Sequence, residues 1–243
     1  MDTLLTRPNK GTLYCSSIKS SDYVQGENKL EREQYSTLIE LFLSCYDPAY
    51  SLLDHKDKEL YILQKVTQIS ADIDERKDKL YDAFAYSKKF KPSLIQKGLQ
   101  VNDSVSSLLY FNDLFSIETI VVNLTTHKYI VTTNKKRAKF CITKVNDKWM
   151  HLDGYEEDGL SEDAISVNES FSEGSFSDLG DFLVMDYNDK HIHKPYLGPV
   201  GTYKVQELQD IAEGMNIPLD DNGKKKTKKR LYDEINVFQL NLI

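Results

Sequence analysis

The side chains best equipped for chemistry in this 243-residue sequence are three cysteines, five histidines and one run of lysines. A thiol hydrolase needs a cysteine, a histidine to take its proton and a third group to orient the imidazole. Cys45, His151 and Asp153 supply those types in that order. Their setting argues against the reaction. Cys45 ends an apolar run just before Asp47-Pro48, whereas a thiolate is favoured at a helix N-terminus. No recognisable Gly or Gln oxyanion donor precedes it. Cys15 falls in a polar arm and Cys141 in a strand-like alternation, and a buried cysteine usually acts as a small hydrophobe. His191 and His193 have no carboxylate or cysteine at metal-ligand spacing and read as solvated loop histidines. The pairs Asp72/Asp74 and Asp220/Asp221 lack the alternating ligands and late glutamate of a calcium loop. GxxxxGK[ST], GxGxxG and HExxH do not occur. The expectation is a protein without enzymatic activity, cofactor, metal or small-molecule substrate.

The lysine run carries a different chemistry. Lys224, Lys225, Lys226, Lys228, Lys229 and Arg230 place six cations within seven residues, around Thr227. Thr227 suits the N-cap of a helix running through Leu231, Tyr232, Ile235 and Phe238. Cations beside the unsatisfied N–H groups of a helix start favour an anion. Such contacts go to phosphate, so nucleic-acid binding through these seven residues would be salt-sensitive and weakly sequence-specific.

A net charge of −7 opposes that reading until the charge is placed along the chain. Residues 153–189 carry 12 acidic and no basic groups, and residues 203–243 carry seven of each. The first 152 residues are mildly basic, so the deficit belongs to one acidic stretch. Its Ser, Gly, Asp and Glu content lowers the drive to collapse, which reads as a linker. Its later part, DFLVMDY, has strand-like content that could pair with a sheet. Competition of this stretch with DNA for the lysines is a further expectation.

The elements that must position these groups follow from periodicity. Residues 1–28 read as an arm. An apolar helix follows, with Glu31 and Glu33 in its first turn and Asp47-Pro48 closing it. Helices are expected at about 54–70, 72–87 and 104–115, with Pro92 marking a break. Four short β-branched or aromatic runs, Glu118–Val122, Lys128–Thr132, Lys139–Thr143 and Lys148–Leu152, predict three or four strands of an antiparallel meander. Val205, Leu208, Ile211 and Ala212 give a further helix ending near Gly214, and Asp220–Gly223 a turn. The fold class is α+β: helices, then a sheet, in a body over 1–152; an acidic linker over 153–200; and a two-helix module over 201–243.

Three resemblances add to this. Val205, Leu208 and Ile211, the Gly214-Met215-Asn216-Ile217 corner, Gly223-Lys224, and Leu231 with Ile235 resemble the SAP or Rho-N helix–extended loop–helix domain. That resemblance implies DNA binding by the lysine-rich entry to the second helix. The stretch from Tyr203 to Ile235 also resembles the end of late or virion proteins of nucleocytoplasmic large DNA viruses. Tyr46-Asp47-Pro48-Ala49-Tyr50 and the strand block from Leu108 to Trp149 look similar too. That implies a virion-associated protein with a DNA-facing tail. The order of Cys45, sheet and His151 loosely resembles papain-like thiol proteases and implies an inactivated relative.

The expected partners are DNA or RNA, through the module, and viral or host proteins, through the body. No apolar run approaches the roughly 20 residues that span a bilayer, so no membrane partner is expected. The start lacks a signal peptide, and the odd cysteine count fits a reducing interior. Nucleus, cytoplasm or virion is the expected location.

Overall fold

The computed structural model describes residues 33–74, 84–152, 171–221 and 223–242. Its first helix, α1 (Leu38–Tyr46), starts where Thr37 caps the Glu40 amide. That is later than the sequence pattern suggests. Glu33 and Gln34 lie outside the helix because Tyr35 pairs with Trp149 instead, through backbone bonds of 2.9 and 2.8 Å. Asp47 closes α1 as expected, and its carboxylate caps the short α2 (Pro48–Ser51).

The helices expected at 54–70 and 72–87 differ in the structure. One helix, α3 (His55–Asp74), runs through the predicted gap, since no Pro or Gly interrupts it. Residues 75–83 lie outside the described residues, and Phe84–Ser87 form a turn and a bridge to His193 rather than helix. Pro92 opens α4 (Pro92–Gln100), because a proline at the first position loses no helical hydrogen bond. A Cβ at Gly98 would lie 2.1 Å from Ser106 Oγ, so α4 crosses the next helix at the closest approach a glycine allows. That helix, α5 (Val105–Leu114), is capped by Ser104 and buried along nearly its whole length.

The sheet is mixed. β1 (Ile117–Asn123) pairs antiparallel with β2 (Lys128–Val131) but parallel with β3 (Ala138–Val145). β4 (Lys148–His151) closes one edge against β3, and β5 (Ser172–Glu173) adds parallel to β2, giving the order β4-β3-β1-β2-β5. The antiparallel meander is therefore corrected. The chain after β2 turns back past the end of α5 instead of forming a hairpin. Thr119 N–H donates to Asn112 Oδ1 (2.9 Å), and Asn112 Nδ2 to Thr132 Oγ1 (2.8 Å). The Thr132 hydroxyl donates to Thr119 O (2.8 Å). These bonds set β3 on the far side of β1.

Ile117, Val121, Phe140, Ile142 and Trp149 face the helices. Phe42 of α1 fills the interface, with ring centroids 5.0–5.6 Å from Phe111, Phe115 and Phe140. Ile120, Val122, Cys141 and Leu152 form a smaller cluster, against which Phe171 packs.

Residues 153–170 of the expected linker lie outside the described residues. Residues 171–194, assigned to that linker from the sequence, pack on the body. Leu179, Leu183 and Ile192 enter its main core. Val184 exchanges backbone bonds with Asp103 and Val105. Asp186 accepts from Ser106 N–H and from its hydroxyl, and His193 reaches Asp113. Apolar anchors and satisfied carboxylates outweigh the self-repulsion that composition suggests. No described helix is long and apolar enough to cross a membrane.

Candidate nucleic-acid interface

The C-terminal residues build their own small core. Leu208 and Ala212 of α6 (Val205–Gly214) meet Ile217, and Leu231 and Ile235 of α7 (Lys228–Leu240). Gly214 is the last residue of α6, but Asn216 takes the left-handed turn beyond it (φ 57°). Ile217 N–H then returns to Ala212 O (2.8 Å) and Asn216 N–H to Glu213 O (3.0 Å), the paired bonds of a Schellman cap. Leu197 joins this core, with its N–H donating to Asn236 Oδ1 at 2.9 Å.

The connector holds a hairpin absent from a simple extended loop. β6 (Asp220–Asp221) pairs with β7 (Lys224–Lys225), setting Asp220 opposite Lys225 and Asp221 opposite Lys224. Gly223 turns it at φ 77°, a conformation glycine adopts without a Cβ clash. Lys226 N–H then bonds Leu219 O (2.9 Å), and Thr227 Oγ1 accepts from Arg230 N–H (3.3 Å) to cap α7. A Thr227→Ala chain is expected to lose about 1 kcal/mol from this module. Faster hydrogen exchange at the Arg230 amide would report it.

The seven predicted residues divide by role. Lys226 Nζ is almost covered and bonds Glu234 at 2.6 Å. Arg230 spans Glu234 (3.0 Å) and Asp221 (2.6 Å). These two cations, with Thr227, hold the hairpin to α7. Lys224, Lys225 and Lys229 are exposed and Lys228 half-exposed, and none has an ion pair among the described residues. Four cations therefore stand on one hairpin strand and the next helical turn. The sequence could not separate them from the structural pair, because Glu234 finds Lys226 only once α7 is folded.

The thiol candidates sit differently. Cys45 is half-buried in the last turn of α1, the end where the helix dipole disfavours a thiolate. His151 ends β4 with its ring stacked on Phe140 at 4.6 Å. Asp153 and Cys15 lie outside the described residues. Burial pushes the Cys141 thiol up to about 12, which keeps it protonated. No group of three or more potential metal ligands occurs among the described residues.

One cluster was missed. His193, expected in a solvated loop, is buried with its Nε2 2.8 Å from Asp113 Oδ2. Asp113 Oδ1 also meets Arg137 (2.7 Å) and Lys135 (3.2 Å). Burial pushes the Asp113 carboxyl up, but the His193 hydrogen bond and the charges of His193, Lys135 and Arg137 outweigh it and hold the group well below the usual carboxylate range. Residues 80 positions apart meet here, so no local spacing announces them. His191 is exposed, as expected, with Nδ1 2.9 Å from Asn134 Nδ2.

No protein-family model, curated protein or solved structure matches this chain.

Proposed function

We propose that this protein is a non-enzymatic nucleic-acid-binding adaptor whose C-terminal module contacts the phosphates of DNA or RNA. The observation that supports it is the division of the basic cluster. Lys226 and Arg230 are tied to Glu234, while Lys224, Lys225, Lys228 and Lys229 have no ion-pair partner among the described residues. Exposed cations fixed on a folded platform, with no ion pair among the described residues, suit a polyanion. The SAP-like and large-DNA-virus resemblances of the sequence agree with that reading; on it, the protein works in a virion or an infected cell and its α+β body docks partner proteins.

Four phosphate contacts to duplex DNA would give a slope of log Kobs against log salt of roughly −3 to −4. The full chain titrated with duplex DNA at several salt concentrations is expected to show at least that slope. Reversing Lys225 and Lys229 to Glu should remove about half of the module's share. A salt-independent affinity, or one indifferent to both substitutions, refutes the reading.

A second reading has its own observation. Leu60 and Leu63, one turn apart on α3, are 56% and 62% exposed, near the start of which Leu52 is 86% exposed. Such a surface suits a structural virion protein held by protein contacts, whose tail also binds protein. That protein would show neither the salt slope nor the sensitivity to lysine reversal.

A further inference from the structure

The fold assembles a second basic face that no part of the sequence displays alone. Ser87 N–H donates to Ile192 O (2.8 Å) and Lys194 N–H to Ala85 O (2.7 Å), so the turn after α3 lies along residues 191–194. Asn134, between β2 and β3, reaches His191 from the other side (2.9 Å). Three lysine-bearing segments thereby converge: Lys88 and Lys89, Lys136, and Lys194. All four side chains are exposed, and none has an ion pair among the described residues. Of the acids close by, Asp113 is buried against Lys135, Arg137 and His193. Asp189, which accepts from the His191 amide at 2.9 Å, keeps its charge, so the four lysines outweigh one exposed carboxylate there.

This face is continuous with the module. Asn241, just beyond α7, accepts from Lys136 N–H (2.5 Å) and donates to Asn134 O (3.1 Å). The 13 residues of α7 separate that point from the module's lysines, a length of about 20 Å at the helical rise. About six base pairs of duplex cover the same distance at about 3.4 Å each.

We propose that Lys88, Lys89, Lys136 and Lys194 form a second phosphate-binding site, so that one nucleic acid running along α7 contacts body and module together. This rests on the nucleic-acid reading of the module and extends it. The body then acts as part of the reader as well as a docking platform. Contacts at both ends of α7 also raise affinity through effective concentration rather than through new chemistry.

The test uses the full chain and a 20-base-pair duplex in a salt titration. Lys88→Glu with Lys89→Glu and Lys194→Glu should flatten the slope by about 2–3, at about 0.9 per phosphate. Affinity at moderate salt should fall at least tenfold. The milder Lys→Gln set at the same positions should flatten it in the same direction, with an unchanged circular dichroism spectrum for both. Lys225→Glu with Lys229→Glu should flatten it separately, and the two sets together should flatten it by about the sum of the two, roughly 4–5, leaving the share of Lys136, Lys224 and Lys228. If the body substitutions leave slope and affinity at wild-type values while the module substitutions reduce them, the second site is refuted and the module reading stands. If the wild-type chain binds without salt dependence, both fall. Binding of an acidic peptide by this face, with DNA affinity unaltered by its lysines, also overturns the proposal.

Discussion

Replacing Asp113 with alanine is expected to cost about 3–5 kcal/mol of folding stability, the loss typical when one partner of a buried ion cluster is removed. Asp113 is 1% exposed, and its loss leaves Arg137, Lys135 and His193 converging on an uncompensated site. The damage spreads because His193 fastens residues 191–194, which in turn hold the turn at Ala85–Ser87. An Asp113→Asn chain should lose less, since its amide oxygen still accepts hydrogen bonds. The same group imposes a pH dependence. Its carboxyl is held below the ordinary value of about 3.9. Below that value the unfolded chain binds the proton that the folded chain refuses, so stability falls with pH. The contribution is whole above about pH 4 and drains away as pH falls through the depressed folded value. Urea denaturation at neutral pH and near pH 3 checks both points. The wild-type chain should lose stability on acidification, and Asp113→Asn should lose less of it.

Trp149→Ala is expected to cost a further, independent 3–5 kcal/mol or so, as for other large aromatic truncations in a packed core. Trp149 is fully buried in β4. Its backbone holds Tyr35, Lys144 Nζ stands 5.4 Å from its ring, and Phe182 meets it edge-on at 6.2 Å. It thus joins the start of the described chain, the sheet and the segment after residue 171 at one point. Trp149→Phe should be much milder. Trp149 Nε1 is buried with no hydrogen-bond partner among the described residues, and an unpaired buried donor costs about 1–3 kcal/mol. Phenylalanine keeps most of the ring and removes that donor. Because Trp149 is the single tryptophan, circular dichroism rather than intrinsic fluorescence must follow the unfolding. A loss under about 1 kcal/mol for the alanine chain would contradict this packing.

How much of this was legible depended on the range of the interaction. The cap at Thr227, the stop at Asp47-Pro48 and the core residues Leu208, Leu231 and Ile235 are written in spacing over a few positions. So are the four strands of the sheet's main block. Their partners are not. β1 and β3 are parallel because Asn112 and Thr132 turn the chain back, and such bonds carry no periodic signal. Likewise Asp186 and Asp178 read as solvated because their partners lie 80 and 50 positions earlier, at Ser106 and at Lys128, which meets Asp178 at 2.8 Å. In the candidate interface the sequence located the lysines, but the assignment of Lys226 and Arg230 to structure required the folded helix. Competition of the acidic stretch with DNA is now a question about residues 153–170. Deleting more would remove β5 and the anchors at Leu179 and Leu183.

The two residues of β5 have a bearing on where this polypeptide can be divided. Without them β2 would be a bare sheet edge, with unpaired amides and carbonyls offered to any other chain. A cut at 152, the point that charge and strand count recommend, also strips Ser106 and Asp113 of Asp186 and His193. The resulting fragment would be prone to pair edge to edge and precipitate. A body fragment that keeps these contacts must reach to about residue 194, so residues 171–194 bear on its solubility as well as on its charge.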